Sequence, residues 1–309
     1  MVARRALLLL TLLGVGCAPA EGAPPGSGGS GVGGFGSGEG SGGSGSGGSP
    51  SGGTSSGGAS PSGGSLAGGG GASGGDVSSG GSGGLPTDDG IQLLVFSRTA
   101  EFRHESIPAG IGALQGLADE RGWELVASED PTRFADESLG GFDVVVFFST
   151  TGDVLDGEQE AAFERFIRSG KGFVGVHAAS DTEYDWPWYG ELVGAYFLAH
   201  PPVQVASVSV EEALHPATAG LPSPWLRTDE WYGFQTNPRA EVQVLLSLDE
   251  ASFDPGEGSM GGDHPIAWCH EYDGGRSFYT ALGHTIESYS EPEFLQHLAG
   301  GIEWAAAGD

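Results

Sequence analysis

The chain has 309 residues, 59 of them glycine, and sets 41 Asp and Glu against 12 Lys and Arg for a formal net charge of −29. That balance, with no clustered cations, argues against nucleic acid as a partner and turns away anionic ligands unless a metal intervenes. The only cysteines are Cys17 and Cys269, so the folded region can build neither an internal disulfide nor a cysteine-based zinc cluster.

Residues 1–20 read as a secretory signal peptide. Arg4 and Arg5 precede an apolar run over 6–15, and Gly16-Cys17-Ala18-Pro19-Ala20 follows it. The run is about half the ~20 residues that a membrane-spanning helix needs. Two cleavage points are open. Leu13-Gly14-Val15-Gly16-Cys17 resembles a lipoprotein box, with glycine at Gly14 where leucine is usual, and would leave a lipidated Cys17 as the mature N-terminus. Ala18-Pro19-Ala20 fits the ordinary small-x-small rule for cleavage after Ala20. The expected location is outside the cytoplasm, lipid-anchored in the envelope or secreted, with membrane contact only through that lipid.

Residues 21–88 are almost entirely glycine and serine. Such a stretch has too little apolar surface to offset its ordering entropy and is expected to be a disordered linker, with a random-coil span on the order of 45 Å. Residues 89–309 are expected to form one domain.

In that domain an apolar run at 91–97 predicts a buried strand. Helical spacing follows over Ile107–Arg121 through Ile107, Ile111, Leu114 and Leu117. Strands are expected at 123–127, 142–148 and 172–177, and an amphipathic helix at 157–169. This alternation predicts an α/β fold with a doubly wound, mostly parallel sheet. Residues 203–210 and 241–248 alternate like half-exposed strands and predict an antiparallel extension. A core strand at 276–282 and a closing helix over Pro292–Ala306 complete the pattern.

Ligands of open α/β sheets bind beyond the carboxyl ends of the strands. There the sequence places His104 after the first strand, Thr151 and Gly152 after the third, His177 and Asp181 after the fourth, and His284 after the late one. Three of eight histidines thus share one sheet edge. Gly175-Val176-His177-Ala178-Ala179 has the form of a strand-to-helix elbow with histidine in place of a nucleophilic Ser or Cys. An imidazole there suits a metal ligand, a general base or a hydrogen-bond donor, or it simply caps the turn.

Two aromatic loops add candidates. Tyr184, Trp186, Trp188 and Tyr189 crowd one, and Trp225, Trp231, Tyr232 and Phe234 the other, beside Asp229 and Glu230. Aromatic faces next to carboxylates suit sugar rings; the alternative is a small core that anchors the loops. His264 lies in a Gly-rich loop that can fold over the pocket, and His200, at the end of an aromatic segment, is a candidate for lining it. His215 reads as part of a structural turn, His270 as a strand residue, His297 as a residue on a solvated helix face, and Cys269 as a buried structural thiol.

Phe102-Arg103-His104, Ser149-Thr150-Thr151-Gly152, Gly175-Val176-His177, Thr228-Asp229-Glu230-Trp231-Tyr232, Asp263-His264-Pro265-Ile266-Ala267-Trp268 and Leu282-Gly283-His284 together resemble a ThuA-like (trehalose-utilisation) domain. The resemblance implies a class I glutamine-amidotransferase-like (flavodoxin-like) α/β fold and a link with sugar metabolism. In that superfamily the elbow carries a cysteine, and a histidine and glutamate follow a late strand. The matching positions here are His177, His284 and, with its spacing off by one, Glu287. Without a thiol at the elbow, glutamine hydrolysis through a thioester is excluded.

Two functions remain open. His177 and His284, with His104 and with Glu230 or Asp263, either hold a divalent metal such as zinc or act directly as acid and base on a small-molecule carbohydrate, in hydrolysis or isomerisation of a keto-sugar or glycoside. Otherwise the domain is a non-catalytic carbohydrate- or partner-binding module on a cell-envelope tether. No Gly-x-Gly-x-x-Gly follows the first strand, which argues against a dinucleotide.

Overall fold

The computed structural model describes residues 90–308. The signal peptide, the lipidation site at Cys17 and the 21–88 linker lie outside the described residues. The elements run β1 Gln92–Phe96, α1 Ile107–Arg121, β2 Glu124–Ser128, α2 Asp136–Leu139, β3 Val144–Phe148, α3 Gly157–Arg168, β4 Gly172–Val176, α4 Pro187–Val193 and β5 Phe197–Ala199. They continue with β6 Gln204–Val210, β7 Trp225–Asp229, β8 Gly233–Phe234, β9 Gln243–Leu248, β10 His264–Tyr272, β11 Gly275–Thr280 and α5 Pro292–Ala306.

One nine-stranded sheet, in the order β2-β1-β3-β4-β11-β10-β9-β6-β7, organises the domain. The first five strands are parallel, and β10, β9, β6 and β7 continue the sheet antiparallel. This is the doubly wound, mostly parallel α/β sheet with an antiparallel extension. Its central strands LLVF, VVVFF and GFVGV are wholly buried because helices cover both faces. Phe147 points to one face, packing on Phe134, Phe163 and Tyr189. Phe148 points to the other, against Tyr289, where α1 and α5 also meet.

Local signals account for the helix ends. A Pro starts α1 and a left-handed Gly122 ends it, while Asp156 and Gln159 form a capping box on α3. At Gly175 a Cβ would come within 2.9 Å of the Tyr279 ring, so glycine makes room there for that side chain beneath the turn that follows β4.

Two expectations are corrected. The 241–248 strand is not half-exposed: β9 lies inside the sheet between β10 and β6, with Val244, Leu245 and Leu246 buried. His297 is not on a solvated face but fully buried in α5, where Nδ1–H donates to Ala217 O at 2.8 Å.

His215, His270 and His297 are buried, and each has one ring nitrogen without a hydrogen-bond partner. Burial lowers them to about 4, about 4 and about 3 respectively. Their folded pKa values lie below the unfolded reference of 6.5, so their stabilisation is complete above that pH. It declines as pH falls toward 4 and 3. Thermal melting should therefore weaken between about pH 6.5 and 4, and a His297→Gln chain should show a shallower decline. An unchanged slope in that variant would contradict the assignment.

Candidate active site

Four strand ends converge on one point. β1, β3, β4 and β11 are parallel, and the alternation through β10, β9 and β6 turns β7 back into their direction. The segment after β7 therefore reaches the same edge as the segments after β1, β4 and β11. His104, His177, Glu230 and His284 come from those four segments, and their ligand atoms all lie within 4.8 Å of one another.

His177 opens the 3-10 turn His177–Ser180 directly after β4. Its φ of 52° is the strained elbow backbone expected from the sequence. The ring is fully buried, packs 4.4 Å from the Tyr232 ring, and donates Nδ1–H to Ala281 O at 2.8 Å. A carbonyl can only accept, so in the neutral ring the Nε2 lone pair is directed into the cluster. Nε2 lies 3.2 Å from His284 Nδ1 and 3.6 Å from Glu230 Oε2. His284 Nδ1 is also 3.0 Å from Glu230 Oε2, and Glu230 Oε1 is 3.0 Å from Nδ1 of His200.

His104 closes the group. Its ring stands edge-on to His177 at 4.7 Å and to His284 at 5.2 Å, and its buried Nδ1 has no hydrogen-bond partner. Burial, then the neighbouring histidines, lowers it to about 3. Burial would raise the Glu230 carboxyl, but the nearby His177 and the His284 ring 3.0 Å away outweigh it and hold the group below the usual range. His284 is raised: burial opposes its charge, and the hydrogen bond to Glu230 overrides burial.

One buried carboxylate aligns two of these residues. Asp229 accepts from Gly283 N at 2.8 Å and from His284 N and Glu230 N at 3.0 Å each. Its counter-ion is Arg227, 3.2 Å away and sandwiched between Trp225 and Phe294 at 4.8 and 4.7 Å. The edge strand β7 is thereby latched to the loop after β11. Gly283 makes the latch feasible: its φ is 109°, and a Cβ would come within 2.6 Å of Tyr289 Oη.

The other sequence candidates take supporting places. Thr151 Oγ1 donates to Phe102 O at 2.8 Å, and Gly152 N to Asp181 O at 2.9 Å, so this loop frames the cluster from the β1 side. Asp181 accepts from Tyr184 Oη at 2.6 Å. His264 stands outside the four, hydrogen-bonded to Tyr232 O at 2.8 Å and facing Glu250 at 2.9 Å, and so backs the tyrosine that packs on His177.

Trp186 packs among Phe163 and Trp188, and Trp231 is fully buried with Nε1–H donating to Gln204 O. Neither presents an open face, as the loop-anchoring alternative has it. Asp263 is exposed and paired with Arg239, so it is not the carboxylate of the cluster. Glu287 is also exposed, carried outward by the short turn after His284. The carboxylate beside His284 is that of Glu230. Cys269 is buried in β10. The sequence marks Asp229 only as an acidic group beside the aromatic loop; its buried pairing with Arg227 and the packing of Tyr232 on His177 do not follow from it. The alternation of Trp225-Leu226-Arg227-Thr228-Asp229 into Glu230 was the available signal.

A doubly wound α/β sheet, with histidine at the elbow and a cluster of three histidines and one glutamate at its carboxyl edge, defines the class. The chain belongs to the ThuA family, described as trehalose utilisation, whose model matches residues 92–305. It is similar in structure to a ThuA-like protein from Bacteroides uniformis, at 24% identity and a TM-score of 0.60, over 73% of this chain and 95% of that one. A ThuA-like protein from Parabacteroides merdae aligns at 20% identity and a TM-score of 0.58, over 71% and 90%. A cytoplasmic protein from Salmonella typhimurium shares the fold at 11% identity and a TM-score of 0.51, over 70% and 99%. No curated protein matched the chain. The family connects this chain with carbohydrate handling.

Proposed function

We propose that the chain is an exported carbohydrate-acting protein whose His104, His177, Glu230 and His284 hold a divalent metal such as zinc. The observation that carries this is the convergence of four donor residues within 4.8 Å, from four separate segments. The donors fit a metal on further grounds. His177 Nδ1 is tied to a backbone carbonyl, the usual second interaction of a metal-binding imidazole. His104 is kept neutral and carries an orphaned ring nitrogen, and metal ligands must be deprotonated. About 3.4 Å separates ligand atoms around tetrahedral zinc, within the spread found here.

A metal bound there would supply Lewis acidity toward a sugar carbonyl or glycosidic oxygen. The protein would do the rest. Asp229 aligns His284 and Glu230, Tyr232 fixes the His177 ring, and His200 meets Glu230 at the rim. The reaction class we assign is hydrolysis or isomerisation of a keto-sugar or glycoside. Glutaminase chemistry is absent from this reading, because His177 stands at the elbow and Cys269 is buried in β10. Export rests on the signal-peptide pattern of residues 1–20, with the linker as a tether.

Incubation of the purified chain with trehalose and its keto derivatives, followed by NMR of the sugar, tests the reading. Turnover should disappear on chelation and return on adding zinc. A sugar that binds but emerges unchanged, with or without metal, would favour the non-catalytic binding module instead.

A further inference from the structure

Phe102 is the most exposed aromatic side chain among the described residues, at 63%. An isolated exposed apolar residue needs no explanation by itself, but this one sits on ordered backbone beside the cluster. Thr151 Oγ1 donates to its carbonyl oxygen, and Ala100 N donates to Thr151 O, so both sides of the residue are pinned to the loop after β3. Its ring stands edge-to-face with His104 at 4.9 Å, and His104 in turn contacts His177 and His284. An open aromatic surface therefore lies one ring away from the four donors, whereas Trp186 and Trp231 are sealed in the core.

Two carboxylates belong to the same group of loops: Glu101 precedes Phe102 in the chain, and Asp181 is tied to the loop after β3. Glu101 lies over Gly152, where an added Cβ would come within 2.8 Å of Glu101 Cγ, and Gly152 N is bonded to Asp181 O. Glu101 and Asp181 are close enough for the Glu101 charge to help raise the Asp181 carboxyl, behind the larger effect of burial. Asp181 ends the 3-10 turn that His177 opens, which keeps it beside the cluster. A pyranose ring has an apolar C–H face for the negative face of an aromatic ring and hydroxyls for carboxylate acceptors. An open-chain polyol lacks the face, and a phosphorylated or acidic sugar would meet two like charges.

We propose that Phe102 is the specificity-determining residue of this site, selecting a cyclic, uncharged sugar by stacking on its ring while Glu101 and Asp181 accept its hydroxyls and repel anionic analogues. The proposal rests on the carbohydrate reading above and does not require the metal.

Titration calorimetry of the full chain with trehalose, methyl α-glucopyranoside, mannitol and trehalose 6-phosphate tests it. The two neutral ring sugars should bind, and mannitol and the phosphate should bind at least about tenfold more weakly. Phe102→Ala should weaken trehalose about tenfold, with Tm and metal content unchanged because the ring is exposed, and Phe102→Trp should retain binding. Asp181→Asn should recover binding of the phosphate. Trehalose affinity unchanged in Phe102→Ala would overturn the proposal and leave the metal centre standing. A parent chain that holds metal but binds neither ring sugar would overturn it together with the carbohydrate reading. A parent free of metal that binds trehalose and loses it in Phe102→Ala would support Phe102 and refute the metal.

Discussion

Replacing His177 by alanine should remove the metal from the purified chain. His177 is the most constrained of the four donors: buried completely, set by a φ of 52°, and hydrogen-bonded through Nδ1 to Ala281 O. Its loss leaves three donors around an empty position. Removal of a supporting group around a metal typically costs 10–100-fold in affinity, and loss of a donor should exceed that. Elemental analysis of dialysed protein should fall from stoichiometric metal in the parent to none detectable in His177→Ala. Some stability should be lost with the buried bond to Ala281 O and the contact with Glu230, and circular dichroism of the variant checks that the fold persists. Full metal content in the variant would place the metal elsewhere or make it adventitious.

Asp229→Ala should have the largest effect on stability. The side chain is fully buried, accepts three backbone N–H groups and faces Arg227, itself almost wholly buried. Deleting one member of a buried ion pair typically costs about 3–5 kcal/mol, and the orphaned amides add to it. For a domain of this size that corresponds to a fall in Tm on the order of 10 °C. Asp229→Asn keeps one accepting oxygen and should be milder in stability. It should still loosen His284 and Glu230, and so lower metal affinity about 10–100-fold. Melting curves and metal titration on both variants check this. A variant Asp229→Ala as stable as the parent would show that the latch between β7 and the loop after β11 is not needed.

The parallel half of the fold was readable because each buried strand is a continuous apolar run and each helix has its own spacing and caps. Strand ends in a parallel sheet share one edge whatever the loop details, so His104, His177 and His284 could be grouped without coordinates. Glu230 was harder. It reaches the cluster only because three antiparallel strands turn β7 back into the parallel direction, and that pairing order is set by contacts far apart in sequence. The latching role of Asp229 was hidden for the same reason, since its partners Gly283 and His284 lie 54 and 55 residues away.

His297 is a different kind of miss. It falls in the buried stripe of α5 with Phe294, Leu298, Gly301, Ile302 and Ala305, three residues after Phe294 and so on the same helix face. Spacing alone would have buried it, and its polarity argued otherwise. Trp186 and Trp231 show the converse. Aromatics in loops look like ligand platforms until the packing of α3 and β6 around them is known, while the smaller signal of Phe102, a lone ring beside His104, marks the open surface.

The most direct test of the metal centre is anomalous diffraction from crystals of the full chain grown with zinc and measured at the zinc absorption edge. One strong peak is expected, bounded by His104, His177, Glu230 and His284, at about 2.0–2.2 Å from the ligating atom of each. A map without a peak among those four residues, with His284 still hydrogen-bonded directly to Glu230, would contradict the metal assignment.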